Sequence, residues 1–288
     1  MTLRDMTPTP VALPNGIILN YIREGAGQPL IMIHGAMGDF GSWEPQWREF
    51  TQHYDCISYS RRYSDPNPNE LTSRNHSALV DAEDLKGLMD ALNINTAILV
   101  GSSYGGFTAL AMAVRSPERV SAVVAVEAPM MRYAFKSKHG QNIAQAFLAA
   151  ADDPAREAFE KGDDELGVRI LTAGIIGKDA SDIPTQVLER RMRNAKAARS
   201  LSLSQDEFPL LDETELAALN MPVLLMKGGE TADIHSVIFE EVAKAMPQAT
   251  SMVIEGSGHS VSQQRPTLFN SQVLKFLDEQ LSSQNMAI

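Results

Sequence analysis

A serine lies in a strand–turn–helix context that is typical of an activated nucleophile. Residues 101–106 read GSSYGG, which fits Gly-x-Ser-x-Gly with Ser103 as the central residue. The apolar run TAILV comes directly before this motif, and an apolar helical pattern follows it. Flanking glycines permit the sharp backbone turn, and amide dipoles at the start of a helix favour developing negative charge. The pattern therefore predicts that Ser103 is a nucleophile.

Two further glycine-rich turns could supply the other groups that acyl transfer needs. GSGHS at 256–260 follows the last strand-like run, and its His259 is the candidate general base. HGAMG at 34–38 follows an earlier run, so we expect the backbone N–H groups of Ala36 and Tyr104 to bind the oxyanion, with His34 fixing the turn. The remaining histidines are expected at the surface: His53, His76, His139 and His235.

The elements that position these turns alternate between strand-like and helical patterns. Strands are predicted over 16–23, 29–34, 54–60, 96–100, 120–126, 222–226 and 250–254, and helices over 75–92, 105–115, 234–246 and 266–281. The central strand runs are continuously apolar, as strands buried on both faces require. We therefore predict an α/β fold with a mostly parallel, twisted sheet and helices on both faces.

One long segment interrupts this alternation. Residues 132–220 contain no convincing strand, and their pattern predicts helical pieces separated at Gly162, Gly167, Gly174, Gly177 and Pro184. The sheet pattern resumes at residue 221. We therefore expect residues 1–131 and 221–288 to form one core and residues 132–220 to form a helical insertion within it.

HGAMG, GSSYGG and GSGH, in that order at strand ends, resemble the motifs of the α/β-hydrolase superfamily. The resemblance extends from about residue 16 to residue 281 and implies the α/β-hydrolase fold, with the insertion in the position of the helical cap. It also implies a nucleophile–histidine pair. Ser103 stands where some members carry Asp, which argues against haloalkane dehalogenase and epoxide hydrolase chemistry.

The acid of the triad departs from the commonest family pattern. The usual position, after the strand at 222–226, holds Ala232, with Glu230 two residues before it and Asp233 one residue after. Glu127 ends the apolar strand at 120–126, where a carboxylate is costly unless it has a partner such as His259. Some members, including zearalenone-opening lactone hydrolases, carry the acid at that strand end. Glu127 is therefore the preferred acid and Asp233 the alternative.

The residues near the motifs favour an apolar small-molecule substrate. Met37, Met130 and Met131 are expected to line the pocket, although packing between cap and sheet would explain them equally well. We therefore predict a serine hydrolase of carboxylic esters or lactones. Alternatives are a C–C bond hydrolase, a cofactor-free perhydrolase or dioxygenase, and a non-catalytic ligand sensor on the same fold.

Composition narrows the classes of partner and cofactor. The 288 residues are 44% hydrophobic and carry a formal charge of −11, which disfavours nucleic acid and anionic membranes and mildly favours a neutral substrate. The single cysteine, Cys56, excludes an intramolecular disulfide, and the scattered histidines predict no metal site. We expect no cofactor and a cytoplasmic location, because neither a signal peptide nor a membrane segment is evident.

Overall fold

The computed structural model describes residues 2–285, which contain eight strands in one sheet. The strands are β1 (Thr9–Ala12), β2 (Ile18–Glu24), β3 (Pro29–Ile33), β4 (Asp55–Tyr59), β5 (Ala97–Ser102), β6 (Val120–Val126), β7 (Val223–Gly228) and β8 (Thr250–Ile254). Their order is β1-β2-β4-β3-β5-β6-β7-β8, with β3 to β8 parallel and the β1–β2 and β2–β4 pairs antiparallel. Residues 1 and 286–288 of the predicted core lie outside the described residues.

Helices connect these strands. They are α1 (Glu44–Phe50), α2 (Ala78–Ala91), α3 (Tyr104–Arg115), α4 (Met131–Ala134), α5 (Lys138–Phe147), α6 (Asp153–Glu160), α7 (Asp164–Ile176), α8 (Thr185–Met192), α9 (Ala195–Ser202), α10 (Glu213–Ala217), α11 (Asp233–Ala245), α12 (Val261–Gln264) and α13 (Pro266–Asn285). The predicted α/β architecture is confirmed. The sequence reading missed the edge strand β1 and the short helix α1.

The central strands are apolar throughout because both of their faces are buried. Along β5, Leu99 belongs to one hydrophobic cluster, whereas Ile98 and Val100 belong to another. Successive side chains of a strand point to opposite faces, so the two clusters lie on opposite sides of the sheet. Residues of α2, α3 and α11 complete the first cluster, and residues of α1 and α13 complete the second.

Residues 131–217, between β6 and β7, form a helical segment with a hydrophobic cluster of its own. The prediction that Gly167 and Gly174 break this segment into shorter helices was wrong, because both lie within α7. A Cβ on Gly167 would lie 2.8 Å from the Phe159 ring, and one on Gly174 would lie 2.3 Å from Ala151 Cβ. These glycines therefore allow close helix packing rather than ending a helix.

The last long helical stretch of this segment, residues 185–202, is divided in two. It forms α8 and α9, which are separated at Arg193 and Asn194. Asn194 is buried, and its side-chain oxygen accepts a hydrogen bond from the backbone N–H of Asp65 at 2.9 Å.

Within the described part of the chain, no helix is both long and apolar enough to cross a bilayer.

Candidate active site

Ser103 occupies a sharp turn between β5 and α3. Its φ and ψ angles are 54° and −123°, a conformation that L-residues rarely adopt. Its backbone N–H donates to the Val126 carbonyl at 2.7 Å, which ties the turn to the end of β6. A Cβ on Gly101 would lie 2.2 Å from the Gly105 carbonyl oxygen, so the two glycines permit this turn. The side chain of Ser103 is thereby presented at the carboxyl edge of the sheet.

Glu127 and His259 form a short hydrogen bond at the same sheet edge. Glu127 directly follows β6, His259 lies in the turn after β8, and Nδ1 of the imidazole is 2.6 Å from Oε2 of the carboxylate. Both side chains are buried. A carboxylate accepts from Nδ1–H, which leaves Nε2 unprotonated in the neutral ring, as a general base requires.

The surroundings of Glu127 favour its ionised form. The backbone N–H of Gly228 donates to Oε1 at 2.7 Å, and the Thr231 hydroxyl donates to Oε2 at 2.8 Å. Burial alone would raise the pKa of Glu127, but the hydrogen bond and charge of His259 outweigh burial and lower that pKa to about 2. Glu127 itself has a φ of 46°, so the backbone at this position is also held in a rare conformation.

The other acids considered from the sequence lie elsewhere. Asp233 is the first residue of α11 and is exposed, and Glu230 is exposed in the preceding turn. No hydrogen bond or ion pair joins either residue to His259 within residues 2–282. Asp233 is better placed to interact with the N-terminal dipole of α11 than to orient the imidazole.

The turn after β3 faces Ser103. A Cβ on Gly35 would lie 3.2 Å from Ser103 Cβ and 3.7 Å from Ser103 Oγ. The Gly35 carbonyl is contacted from the other side, by His34 Nδ1 at 2.8 Å and Arg61 Nη2 at 3.4 Å. Because the N–H and C=O of a trans peptide point in opposite directions, these contacts direct the Ala36 N–H away from Arg61.

Tyr104 is the second residue whose backbone N–H is predicted to bind the oxyanion. It is the first residue of α3, and the first N–H groups of an α-helix have no intrahelical acceptor. Its ring is buried, and its hydroxyl donates to the Glu207 carbonyl at 2.7 Å. The side chain therefore anchors the start of α3 while the backbone N–H remains available next to Ser103.

His34 and Arg61 are buried and support the turn after β3. The Arg61 backbone N–H donates to His34 Nε2 at 2.9 Å, so the ring proton lies on Nδ1, which donates to Gly35. Burial and the charge of Arg61 lower the pKa of His34 to about 4. Arg61 forms an ion pair with buried Asp81. His34 thus stays neutral at physiological pH and orients the turn.

The prediction that His235 and His76 lie at the surface was wrong, because both are buried. His235 lies on the inward face of α11 and stacks on His259, with ring centroids 4.1 Å apart. Its Nε2 is 2.9 Å from the Ile175 carbonyl in α7, and its Nδ1 has no hydrogen-bond partner. Burial and the charge of His259 lower the pKa of His235 to about 3, so His235 is neutral at physiological pH.

Glu127, His235 and His259 also offer ligand atoms that lie within 4.8 Å of one another. His259 Nδ1 and Glu127 Oε2 already share a proton at 2.6 Å, and His235 Nε2 faces the Ile175 carbonyl. A cation at this position would have to replace the proton that joins the first pair. The hydrogen bond between His259 and Glu127 is the arrangement that a catalytic triad requires. That the protein has no metal centre stays a prediction.

A cavity of about 340 Å³ lies over these groups, and Ser103, His259 and Ala36 line it. This volume is at the lower end of small-molecule sites. Met37 also lines it, whereas Met130 and Met131 are buried in the hydrophobic cluster on the α3 side of the sheet. The lining is more polar than predicted, because it includes Arg4, Arg190, Arg191, Asp39 and Glu44.

Sequence reasoning missed several residues that shape this site. Thr231, which donates to Glu127, and His235 carry no motif, and only their placement next to β7 could have drawn attention to them. Arg190 and Arg191 come from α8, which is far from the motifs in the chain. These two arginines reach the cavity only because the helical segment packs against the sheet edge, so their role could not be predicted from the sequence.

Comparison with known proteins agrees with this architecture. The α/β hydrolase fold family model matches residues 28–266. The carboxylesterase YbfK of Bacillus subtilis is 26% identical over 255 residues, which cover 86% of this chain and 79% of that protein. Its structure, solved as carboxylesterase CesB, has a TM-score of 0.71 at 24% identity and covers 96% of this chain and 93% of its own.

Two further similar proteins illustrate the range of the fold. Est816, described as an N-acyl homoserine lactone degrading enzyme, has a TM-score of 0.73 at 20% identity, covering 93% of this chain and 100% of that one. A 2-hydroxymuconate semialdehyde hydrolase of Pseudomonas sp. is 38% identical over 120 residues, 38% of this chain and 39% of that protein. With the family model matched over most of the chain, the protein belongs to the α/β-hydrolase fold family and is a hydrolase.

Proposed function

We propose that this protein is a serine hydrolase that cleaves a carboxylic ester or lactone bond in a small molecule. The observation that carries the proposal is the 2.6 Å contact between His259 and Glu127, next to a serine in a strained turn that lines the same cavity. The similarity to a carboxylesterase supports an ester, and the similarity in fold to a lactone-degrading enzyme makes a lactone worth testing.

The mechanism has two halves. His259 Nε2 takes the Ser103 proton as Oγ attacks the carbonyl carbon, and the Ala36 and Tyr104 N–H groups stabilise the oxyanion. Glu127 holds the imidazole orientation and stabilises the imidazolium that forms. The alcohol leaves with the proton from His259. Water, activated by the same histidine, then attacks the acyl-enzyme and releases the acid, so no cofactor is needed.

The helical segment is proposed to act as the cap, with the predicted limits 132–220. Ile175, Arg190, Arg191 and Asn194 contribute to the cavity from this segment, while the turns after β3 and β5 contribute from the core. The segment has a hydrophobic cluster of its own, which supports the proposal that it forms a separate unit over the sheet edge. In this arrangement the core carries the chemistry and the cap selects the substrate.

A panel of 4-nitrophenyl esters and lactones, assayed with wild type and Ser103→Ala, tests the proposal. We expect Ser103→Ala to fold normally and to lose turnover by several orders of magnitude, because the remaining groups only bind and polarise the carbonyl. Ser116→Ala is the matched control, since Ser116 lies at the opposite end of α3. Hydrolysis undiminished in Ser103→Ala, or a fully inactive panel, would contradict the proposal.

A further inference from the structure

The cavity contains more cationic than anionic groups. Arg4, Arg190 and Arg191 line it, against the carboxylates of Asp39 and Glu44. Both carboxylates are already engaged. Asp39 forms an ion pair with Arg4 at 3.3 Å, and Glu44 accepts a hydrogen bond from the Arg4 backbone at 3.0 Å. The arginines at the end of α8 are therefore left without an anionic partner in the cavity.

Arg191 is the more confined of these two arginines. Its side chain is only partly exposed, and its Nη1 is shielded from solvent without a hydrogen-bond partner. No ion pair joins Arg190 or Arg191 to an acid in residues 2–282. Buried donors are normally satisfied, and an unpaired buried charge is costly. Burial and the neighbouring Arg190 lower the pKa of Arg191 to about 10, so the guanidinium remains charged at neutral pH.

A purely structural role accounts for only part of this arrangement. Arg190 and Arg191 lie in the last turn of α8, where positive charge interacts favourably with the helix dipole. That interaction is satisfied equally well by an exposed side chain, such as that of Arg193 just beyond the helix. It does not explain why a guanidinium is held in the wall of the cavity that contains Ser103 and His259.

We propose that Arg191, assisted by Arg190, binds a carboxylate or similar anionic group of the substrate. The inference rests on the proposed function and narrows its substrate class to esters or lactones that carry a second, anionic group away from the scissile carbonyl. A guanidinium presents its donors in a fork that matches two carboxylate oxygens. The anion would supply the partner that no described residue provides.

Matched pairs of charged and neutral esters test the proposal on both sides of the scissile bond. On the acyl side, the pair is the mono-4-nitrophenyl ester of adipic acid and 4-nitrophenyl hexanoate. On the alcohol side, the pair is 3-acetoxybenzoate and phenyl acetate. We expect wild type to prefer the charged member of at least one pair in kcat/KM. Arg191→Gln should reduce that preference by at least about tenfold, while the neutral member changes by less than about twofold.

Controls separate charge recognition from damage to the fold. Arg193→Gln removes a nearby exposed arginine that does not line the cavity and should keep the wild-type preference. Arg191→Lys should retain part of it, because the charge remains but the fork is lost. Raising the salt concentration should reduce the preference of wild type without affecting the neutral ester, which tests the proposal even if Arg191→Gln folds poorly.

The outcomes distinguish this inference from the proposed function. If hydrolysis depends on Ser103 but wild type prefers the charged ester in neither pair, the anion proposal is overturned and the hydrolase proposal stands. The same conclusion follows if a preference exists and Arg191→Gln leaves it unchanged. If hydrolysis does not depend on Ser103, the proposed function itself fails.

Discussion

At the scale of single residues, the candidate active site combines one charged carboxylate with two neutral, buried histidines. Glu127 is held ionised by its hydrogen bonds, whereas His34 and His235 are held neutral by burial. A neutral His34 can accept from the Arg61 backbone and donate to the Gly35 carbonyl. A neutral His235 adds no repulsive charge when His259 becomes an imidazolium. In the proposed mechanism, His34 and His235 therefore add no positive charge next to the imidazole of His259.

The burial of His235 makes the stability of the protein depend on pH. Its pKa is about 3 in the folded state, and an unfolded histidine titrates near 6.5. The stability that neutral His235 contributes is therefore present above pH 6.5 and is lost as the pH falls from 6.5 toward 3. His235→Phe should flatten the dependence of the free energy of unfolding on pH by about 1 kcal/mol per pH unit between pH 5 and 6.

Urea denaturation at several pH values between 5 and 6.5 provides the measurement. The slope is compared rather than the absolute stability, because Phe also loses the contact with the Ile175 carbonyl. His139→Phe is the control, since His139 is exposed and in contact with water before and after unfolding. A His235→Phe slope equal to that of wild type would mean that His235 is protonated in the folded state.

At the scale of elements, close backbone packing positions Ser103. Gly105, in the first turn of α3, packs against the end of β3, where an added Cβ would lie 2.0 Å from the Ile33 carbonyl oxygen. Gly105→Ala should therefore displace α3 from the sheet and lower the free energy of unfolding by about 1–3 kcal/mol or more. The esterase activity that depends on Ser103 should fall as well.

Gly87→Ala is the matched comparison. Gly87 lies in α2, where an added Cβ would make an ordinary contact of 3.4 Å with the Leu13 side chain. Alanine has the higher helix propensity, so this substitution should raise stability by up to about 1 kcal/mol. Urea denaturation of both variants tests the packing argument, which fails if they change stability in the same direction.

Sequence patterns predict the limits of some of these elements but not of others. The ends of β6 and β8 match the predicted strands because the last apolar residues of each strand are followed by a glutamate, Glu127 or Glu255. The prediction of helix breaks within α7 was wrong. Glycine usually interrupts a helix, but in α7 the absence of a Cβ leaves space for Phe159 and Ala151. That outcome depends on which helix packs against α7, and a single chain segment contains no such information.

At the scale of the whole molecule, the overall charge did not predict the charge of the cavity. The net charge of −11 suggested a neutral substrate, yet three arginines and two carboxylates line the cavity. Net charge describes the outer surface, whereas the cavity joins residues from the N-terminal segment, the sheet edge and α8. The motifs of the core could be found from local spacing, but the wall contributed by the helical segment required tertiary structure.

The fold also accommodates the proposed triad acid at the end of β6 rather than after β7. β6 lies between β5 and β7 in the sheet, so an acid at the end of β6 starts from a position between the nucleophile and the usual acid site. From there Glu127 contacts His259 on one side and the Gly228 N–H on the other. Ser103, His259 and Glu127 are therefore the proposed triad.

Comparison of kcat/KM for Glu127→Gln and Asp233→Asn, on one ester that wild type hydrolyses, tests this triad most directly. Both substitutions preserve side-chain size and remove only the charge. We expect Glu127→Gln to lower kcat/KM by about 10³–10⁴-fold, because an amide favours the wrong imidazole tautomer, and Asp233→Asn to change it by less than about twofold. A large loss in Asp233→Asn with activity retained in Glu127→Gln would contradict the account.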